Sequence, residues 1–232
     1  MFKIITGFCL STVILLSTQQ AVAGELVKQK VEDREPEAAT GIINKKAVFG
    51  KDFMVAAANP YASEAGFNVL KQGGSAVDAA IAVQLVLTLV EPQSSGIGGG
   101  AFILHWDKSK QHLTTFDGRE TAPKSATTDM FLNEKGEAIS WIKAVVGGRS
   151  VGVPGVLHAF KLAHDKYGKL PWEMLFVDAI ALAENGFIVS PRLEKLVTMK
   201  FNPGISQLPE ISEYFFPNGQ AIPRGYVDSW MV

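Results

Sequence analysis

The chain has 232 residues, a formal net charge of −1 at pH 7 and 47% apolar residues. This near-neutral balance, with no dense run of Lys or Arg, gives no electrostatic basis for binding nucleic acid or an anionic membrane. The length fits one large domain or two small ones, and the apolar content is sufficient for a buried core.

Residues 1–23 are typical of a secretory signal peptide. Lys3 supplies a positive start, a mostly apolar run covers Ile4 to Leu16, and Ala21-Val22-Ala23 is an A-x-A cleavage signal. A membrane anchor is the alternative, but the run is shorter than the roughly 18 apolar residues that a span needs. Cleavage would remove Cys9, the only cysteine, which excludes disulfides from the mature chain. We therefore expect a periplasmic or secreted protein with no membrane contact after cleavage.

The segment that follows the signal predicts a lead-in and then two strands. Residues 24–46 are polar and charged, which is typical of a flexible segment. Residues 47–58 are apolar and are interrupted by Gly50-Lys51-Asp52, a pattern that predicts two strands joined by a turn. Asn59-Pro60 ends the second strand.

Two consecutive helices are predicted next. Apolar spacing over Tyr61 to Gln72 indicates an amphipathic helix that Gly73-Gly74 terminates. Ser75 and Asp78 form a capping box that begins a second helix, from Ala76 to about Val90. This helix is apolar nearly all round, and its internal Asp and Gln favour a protein core over a membrane.

The glycine-rich turn Gly96 to Ala101 formally fits the dinucleotide pattern G-x-G-x-x-A. That pattern requires a strand before the glycines and a helix after them, whereas here a helix precedes and a strand follows. A nucleotide cofactor is therefore disfavoured. Two interpretations of the turn stay open: a tight structural turn where backbones pack closely, or a wall of a ligand pocket.

The second half predicts mainly helices, over Val156 to Tyr167 with Gly168 at C′, from Pro171 to Glu184, and from Ser190-Pro191 onward. The four histidines lack metal-ligand spacing; they are His105, His112, His158 and His164. No serine stands in a G-x-S-x-G context. No metal and no cofactor is predicted.

Several long motifs resemble one known family. LVEPQSSGIGGGAFILHW followed by DGRETAP is similar to the large-subunit core of the γ-glutamyltranspeptidases, self-processing N-terminal-nucleophile hydrolases also called glutathione hydrolases. NPYASEAGFNVLKQGGSAVDAAIAV, SVGVPGVLHAFKLAHDKYGKLPW and AIALAENGFIVSP extend the resemblance over roughly residues 47–220. It implies an α+β fold, an αββα sandwich formed jointly by two subunits. This chain would hold the first, helix-rich part, with two or three antiparallel strands from residues 47–58 and 101–117.

Arg119 is the candidate substrate-binding residue. Taken alone, it is a surface arginine able to pair with Asp117 or Glu120, yet a guanidinium can also hold a carboxylate through two parallel hydrogen bonds. The resemblance implies that Arg119 binds the α-carboxylate of a γ-glutamyl group. It also implies γ-glutamyl transfer or hydrolysis, with glutathione as the typical small-molecule donor.

The family's nucleophile has no counterpart among these residues. The resemblance implies self-cleavage ahead of a threonine in a D-T-T-H-like motif, after which the freed threonine attacks with its own α-amino group as base. Thr114-Thr115 and Thr127-Thr128 do not match that motif. We therefore expect no catalytic residue in this chain, a chain that stops before the small subunit, and no activity by the chain alone.

The last stretch, residues 221–232, is expected to be an aberrant or truncated terminus that exposes Trp230, Met231 and Val232 and promotes aggregation. Two alternatives to the transferase stay open. One is a cephalosporin or glutaryl acylase of the same fold, and the other is a non-catalytic remnant.

Overall fold

A computed structural model describes residues 46–200 and 202–228. The predicted signal peptide at 1–23, the lead-in up to residue 45 and the apolar residues 230–232 lie outside the described part of the chain. Within that part, no helix combines the length and the hydropathy needed to cross a bilayer.

The described residues form an α+β structure in which helices outweigh strands. The helices are α1 Pro60–Lys71, α2 Ala76–Val90, α3 Trp141–Val145, α4 Val156–Tyr167, α5 Val177–Asn185, α6 Pro191–Thr198 and α7 Pro209–Phe215. The strands are β1 Phe102–Asp107, β2 His112–Asp117, β3 Phe187–Ile188 and β4 Val227–Asp228. They form two separate antiparallel pairs, β1 with β2 and β3 with β4. Short 3₁₀ turns cover Gly148–Ser150, Trp172–Phe176 and Pro217–Gly219.

Helix α1 ends at the predicted glycine signal, but it begins at Pro60 with Asn59 as its N-cap, the two residues that were predicted to end a strand. Gly73 has a φ of +89°, which a residue with a side chain rarely adopts. Its N–H donates to the carbonyl of Leu70 at 3.0 Å, and the N–H of Gly74 donates to that of Val69 at 3.0 Å. These two bonds form a Schellman motif, which satisfies carbonyls at the helix end. The predicted amphipathic character is confirmed, since Ala62, Ala65, Gly66 and Val69 are buried.

Helix α2 is the central element of the core, as its all-round apolar sequence predicts. One buried cluster packs Ile81 and Leu85 of α2 against Phe160 of α4. A second cluster packs Val86 and Val90 of α2 against α1, α6 and the residues around β3. Because α2 contributes to both clusters, it joins the two halves of the core.

Asp78 does more than cap α2. It is fully buried, and its Oδ2 accepts hydrogen bonds from the backbone N–H groups of Ser75 at 2.8 Å, Lys169 at 2.8 Å and Leu170 at 3.2 Å. His164 Nε2 donates to the Leu170 carbonyl at 2.9 Å and lies 3.6 Å from Asp78 Oδ1. The carboxylate thereby fastens the loop after α4 to the first turn of α2. The sequence predicted the cap but not this long-range role.

The two strands predicted in residues 47–58 are wrong, since the structure has no strand there. Val48 and Phe49 are 80% and 89% exposed, and no described strand lies alongside the segment to complete hydrogen bonds. An apolar run forms a stable strand only when a neighbouring sheet satisfies its backbone and covers a face. The predicted hairpin of residues 101–117 is confirmed as β1 and β2, whereas β3, β4, α3 and α7 were not predicted.

The predicted helices of the second half are confirmed, with local differences. The one predicted from Pro171 is a 3₁₀ turn that continues into α5. Gly168 follows α4 directly with a φ of −66°, so it is not a left-handed C′ residue. A Cβ at this position would collide with the His164 ring, so close packing, and not a left-handed conformation, explains why the residue is glycine. Ile222 is fully buried and β4 pairs with β3, while the domain boundary placed at residue 220 stays a prediction.

Replacing Asp78 by Ala should lower the free energy of unfolding by about 3 kcal/mol or more, because three backbone N–H groups would stay buried without an acceptor. Asp78→Asn keeps one oxygen and should cost less. Urea denaturation followed by circular dichroism measures both. Asp52→Ala, at an exposed position, is the matched control and should change stability by under about 0.5 kcal/mol. Equal stability of Asp78→Ala and the control would contradict this role of the carboxylate.

Candidate substrate-binding groove

A groove of about 370 Å³ lies where the chain leaves β2. Two segments form its base, and an antiparallel bridge joins them. The Thr121 N–H donates to the Val153 carbonyl at 3.3 Å, and the Val153 N–H donates to the Thr121 carbonyl at 2.8 Å. Its lining residues are Arg119, Glu120, Thr121, Ala122, Pro123, Ala126, Met130, Phe131, Arg149, Ser150, Val151 and Gly152.

Arg119, the predicted substrate-binding residue, lies in this groove. Its backbone N–H donates to Asp117 Oδ1 at 2.9 Å, and its Nη1 pairs with Glu120 Oε2. The side chain is still 64% exposed. An exposed ion pair contributes only about 0–1 kcal/mol, so Glu120 can yield to a ligand carboxylate at small cost. The other N–H groups of the guanidinium fork can then hold that carboxylate in a bidentate manner.

The glycines next to Arg119 are explained by close packing. A Cβ on Gly100 would lie 2.6 Å from Glu120 Oε2 and 2.8 Å from the Gly118 carbonyl oxygen. A Cβ on Gly118 would lie 2.7 Å from that of Ala159 in α4. Of the two interpretations of the turn, close backbone packing therefore applies at Gly100. Gly100 thus packs against the carboxylate of Glu120, which is one of the groove residues.

The glycine turn is also bonded to the start of α4. The Gly99 carbonyl accepts from the backbone N–H groups of Gly155 at 3.2 Å and Val156 at 3.3 Å. Gly98, by contrast, is exposed, and a Cβ there would meet nothing within 4 Å. The constrained part of the turn is thus its second half, which contacts both α4 and the loop of Arg119.

Arg149 is a groove residue that the sequence analysis missed. It lies in the 3₁₀ turn Gly148–Ser150, and its Nη1 donates to the Met130 carbonyl at 3.0 Å. Among the described residues, no carboxylate lies within ion-pair distance of its guanidinium. The only sequence signal was its position in a stretch that is itself rich in glycine, between Gly147-Gly148 and Ser150-Val151-Gly152-Val153.

The other candidate residues lie elsewhere. His105 stacks on Tyr167 with ring centroids 3.9 Å apart, and the Thr114 hydroxyl is 2.5 Å from that of Tyr167. The hydrogen bond with Thr114, reinforced by Lys166, lowers the pKa of Tyr167. His112 and His158 are exposed. Across residues 46–200 and 202–228, no three His, Cys, Asp or Glu side chains come close enough to hold a metal ion.

A larger cavity, of about 640 Å³, shares Val151 with the groove but is not lined by Arg119. Most of its lining is apolar and comes from α3, α6, α7 and the loops beside them, including Val145, Leu193, Leu196, Ile205, Leu208 and Phe215. None of the described residues that line it is charged. For a carboxylate ligand, the smaller groove with Arg119 is therefore the better candidate, because it supplies the opposite charge.

The comparison with known families decides the identity of this fold. Residues 62–228 match the family model of gamma-glutamyltranspeptidase. The chain belongs to that family. A glutathione hydrolase proenzyme from Bacillus subtilis (strain 168) is 42% identical over 181 residues, which cover 78% of this chain and 30% of that protein. The chain thus spans about 30% of the length of this curated relative.

Solved structures agree with the family assignment. The gamma-glutamyltranspeptidase of Helicobacter pylori is similar with a TM-score of 0.74 and 31% identity, over 79% of this chain and 52% of that one. A cephalosporin acylase from Bacillus halodurans is similar with a TM-score of 0.67 and 31% identity, over 84% and 36% of the two chains. The α+β fold is therefore part of the N-terminal-nucleophile hydrolase fold, as predicted.

Gly100→Ala should destabilise the protein by about 1–3 kcal/mol, the usual cost of forcing atoms into a filled site. It should also displace Glu120, whose carboxylate occupies the place of the new methyl group. Thermal unfolding measures the first effect, and the Arg119 and Glu120 side-chain signals in NMR spectra report the second.

Gly98→Ala is the matched control, since the added methyl group would meet open space. It should leave the melting temperature and the Arg119 signals unchanged. If the two substitutions have the same small effect, the packing explanation for Gly100 is wrong.

Proposed function

We propose that this chain provides the carboxylate-binding part of a site for γ-glutamyl transfer or hydrolysis, with glutathione as the typical donor. The position of Arg119 in the groove is the observation that carries this proposal. Family membership and relatives named glutathione hydrolase proenzyme support it. In this role Arg119 binds the α-carboxylate of the γ-glutamyl group and orients the substrate without touching the reacting carbonyl.

The chemical step requires a nucleophile from another segment. A threonine hydroxyl attacks the γ-carbonyl carbon while its α-amino group takes the hydroxyl proton. The C–N bond of the amide breaks, and the departing nitrogen receives the proton. Water or an amine then attacks the resulting ester and releases the γ-glutamyl group. None of the 232 residues supplies a D-T-T-H-like threonine, so we assign this role to a small subunit of the same precursor, as in a zymogen.

The outward face of the hairpin supports such a partner. Phe102, Leu104 and Trp106 of β1 are 66%, 68% and 54% exposed, and Leu113 opposite Trp106 is 49% exposed. A row of large apolar side chains on one sheet face is normally covered by another layer. A second sheet contributed by the small subunit would cover it and bring the threonine near the groove.

An acylase of the same fold is the second candidate. The similarity to the Bacillus halodurans cephalosporin acylase supports this second candidate. A glutaryl group also has a terminal carboxylate, which an arginine can bind. The two groups differ by the α-amino substituent of γ-glutamyl. Preferential turnover of glutaryl amides over γ-glutamyl amides by the assembled enzyme would favour the acylase.

We also propose that the protein is exported to the periplasm or the cell exterior. The charged start, the apolar run and the Ala21-Val22-Ala23 signal support this location. Fractionation of producing cells, with N-terminal sequencing of the mature protein, tests it. Recovery in the cytoplasm with Met1 intact would contradict the proposal.

Arg119→Gln should weaken binding of γ-glutamylglycine by about 10–100-fold, because a charge-assisted bidentate contact with the α-carboxylate is lost. The affinity of Arg119→Lys should lie between those of wild type and Arg119→Gln, since an ammonium keeps the positive charge but not the forked geometry of the guanidinium. Isothermal titration calorimetry gives the dissociation constants. Arg224→Gln, at an exposed position outside the groove, serves as control. Unchanged binding by Arg119→Gln would remove the basis of the proposed function.

The purified 232-residue chain should show no turnover of γ-glutamyl-p-nitroanilide. Turnover should appear only when a threonine-bearing small subunit from a relative is co-expressed and assembles with it. Release of p-nitroaniline is followed by absorbance, and a small subunit lacking its N-terminal threonine is the control. Turnover by the chain alone at the rate of a full-length relative would refute the assignment of the nucleophile to another segment.

A further inference from the structure

The groove holds two arginines on segments that are fixed to each other. Arg119 precedes Thr121, Arg149 precedes Val153, and the two backbone hydrogen bonds between Thr121 and Val153 join these segments. The contact continues beside the bridge, since a Cβ on Gly152 would lie 2.8 Å from Glu120 Cβ. The two guanidinium groups are thus attached to one rigid base rather than to independent loops.

The electrostatic states of the two arginines differ. Arg119 is paired with Glu120, whereas Arg149 makes one hydrogen bond, to the Met130 carbonyl, and has no carboxylate partner among the described residues. Among the described residues, the charged lining of the groove consists of these two arginines and one glutamate, which together carry a net charge of +1. A guanidinium has five N–H donors, and the bond to Met130 uses one of them. Arg149 therefore keeps donors for a second anionic group.

We propose that Arg149 is a specificity-determining residue that binds a second carboxylate of the substrate, on the part beyond the scissile amide. This inference rests on the proposed function, in which Arg119 holds the α-carboxylate of the γ-glutamyl group. The preferred substrate class is then γ-glutamyl amino acids and peptides, which carry a carboxylate in the leaving part. γ-Glutamyl amines and arylamides, which lack that carboxylate, bind less tightly.

The hydrogen bond to Met130 orients Arg149 for this task. It holds Nη1 against Met130, another residue of the groove lining, so less side-chain freedom is lost when a ligand binds. Arg is also the residue best suited to a planar carboxylate, because its fork matches the two oxygens. The groove volume of about 370 Å³ falls within the range of small-molecule sites, and it is sufficient for a dipeptide-sized ligand.

A matched pair of ligands isolates the second carboxylate. γ-Glutamylglycine and γ-glutamylglycinamide have nearly the same shape and differ in one charged group. We expect the full chain to bind γ-glutamylglycine about tenfold more tightly in low salt, with the ratio shrinking as salt screens the contact. Arg149→Gln should bring the ratio to about one while leaving the affinity for the glycinamide unchanged. Arg149→Lys should retain part of the preference.

Two further variants separate this inference from the function on which it rests. Arg119→Gln should weaken both ligands alike and keep their ratio, whereas Arg224→Gln should change neither. If wild type binds both ligands equally, or if Arg149→Gln keeps the preference, the role of Arg149 is refuted and the proposed function stands. If neither ligand binds to wild type, the proposed function and the inference both fail. Undiminished glycinamide binding shows that the Arg149 variants are folded.

Discussion

The buried carboxylate of Asp78 is the constraint on which the arrangement of the helices depends. Burying a polar group costs free energy unless it is hydrogen-bonded. Three backbone N–H groups donate to Asp78 Oδ2, while Oδ1 makes no hydrogen bond among the described residues and lies 3.6 Å from His164 Nε2. Two of these groups belong to the loop after α4, 91 and 92 positions further along the chain. The same side chain therefore begins α2 and fixes the distant helix that packs on it.

The groove derives its geometry from this core through α4. Ala159, buried on α4, contacts the position of Gly118, and Gly155 and Val156 at the helix start bind the carbonyl of Gly99. Arg119 follows Gly118 directly. The core thus positions α4, α4 positions Gly99 and Gly118, and Gly118 positions the backbone of Arg119. A side chain that binds ligand at a defined place needs such rigid support, even though it is itself exposed.

Features encoded by neighbouring residues were predictable from the sequence. The end of α1 at Gly73, the capping box of α2 and the β1–β2 hairpin each depend on signals within a few positions, and each is confirmed. Arg119 could be named as a candidate because its motif is contiguous, and its role in substrate binding stays a prediction. These are the cases in which local chemistry alone restricts the backbone.

Features that depend on distant partners were not predictable. Residues 47–58 have a strand-like composition but no strand beside them, and β3 pairs with residues some 40 positions away over only two residues. Arg149 has no motif of its own, and it lines the same groove as Arg119 through a bridge between Thr121 and Val153, residues that are 32 positions apart in the chain. Its relevance could therefore not be seen without the folded backbone.

That bridge also has an evolutionary consequence. It closes the excursion from Ala122 to Gly152 at its base, and no residue between Arg119 and Gly155 is buried in the core. Lengthening a loop whose ends are already held costs little, about 0.6 kcal/mol for each doubling of its length. Insertions and substitutions around Met130 and Phe131, which line the groove, can therefore change its shape with little loss of stability. The lining contributed by this excursion can thus change without disturbing the core or the backbone contacts that support Arg119.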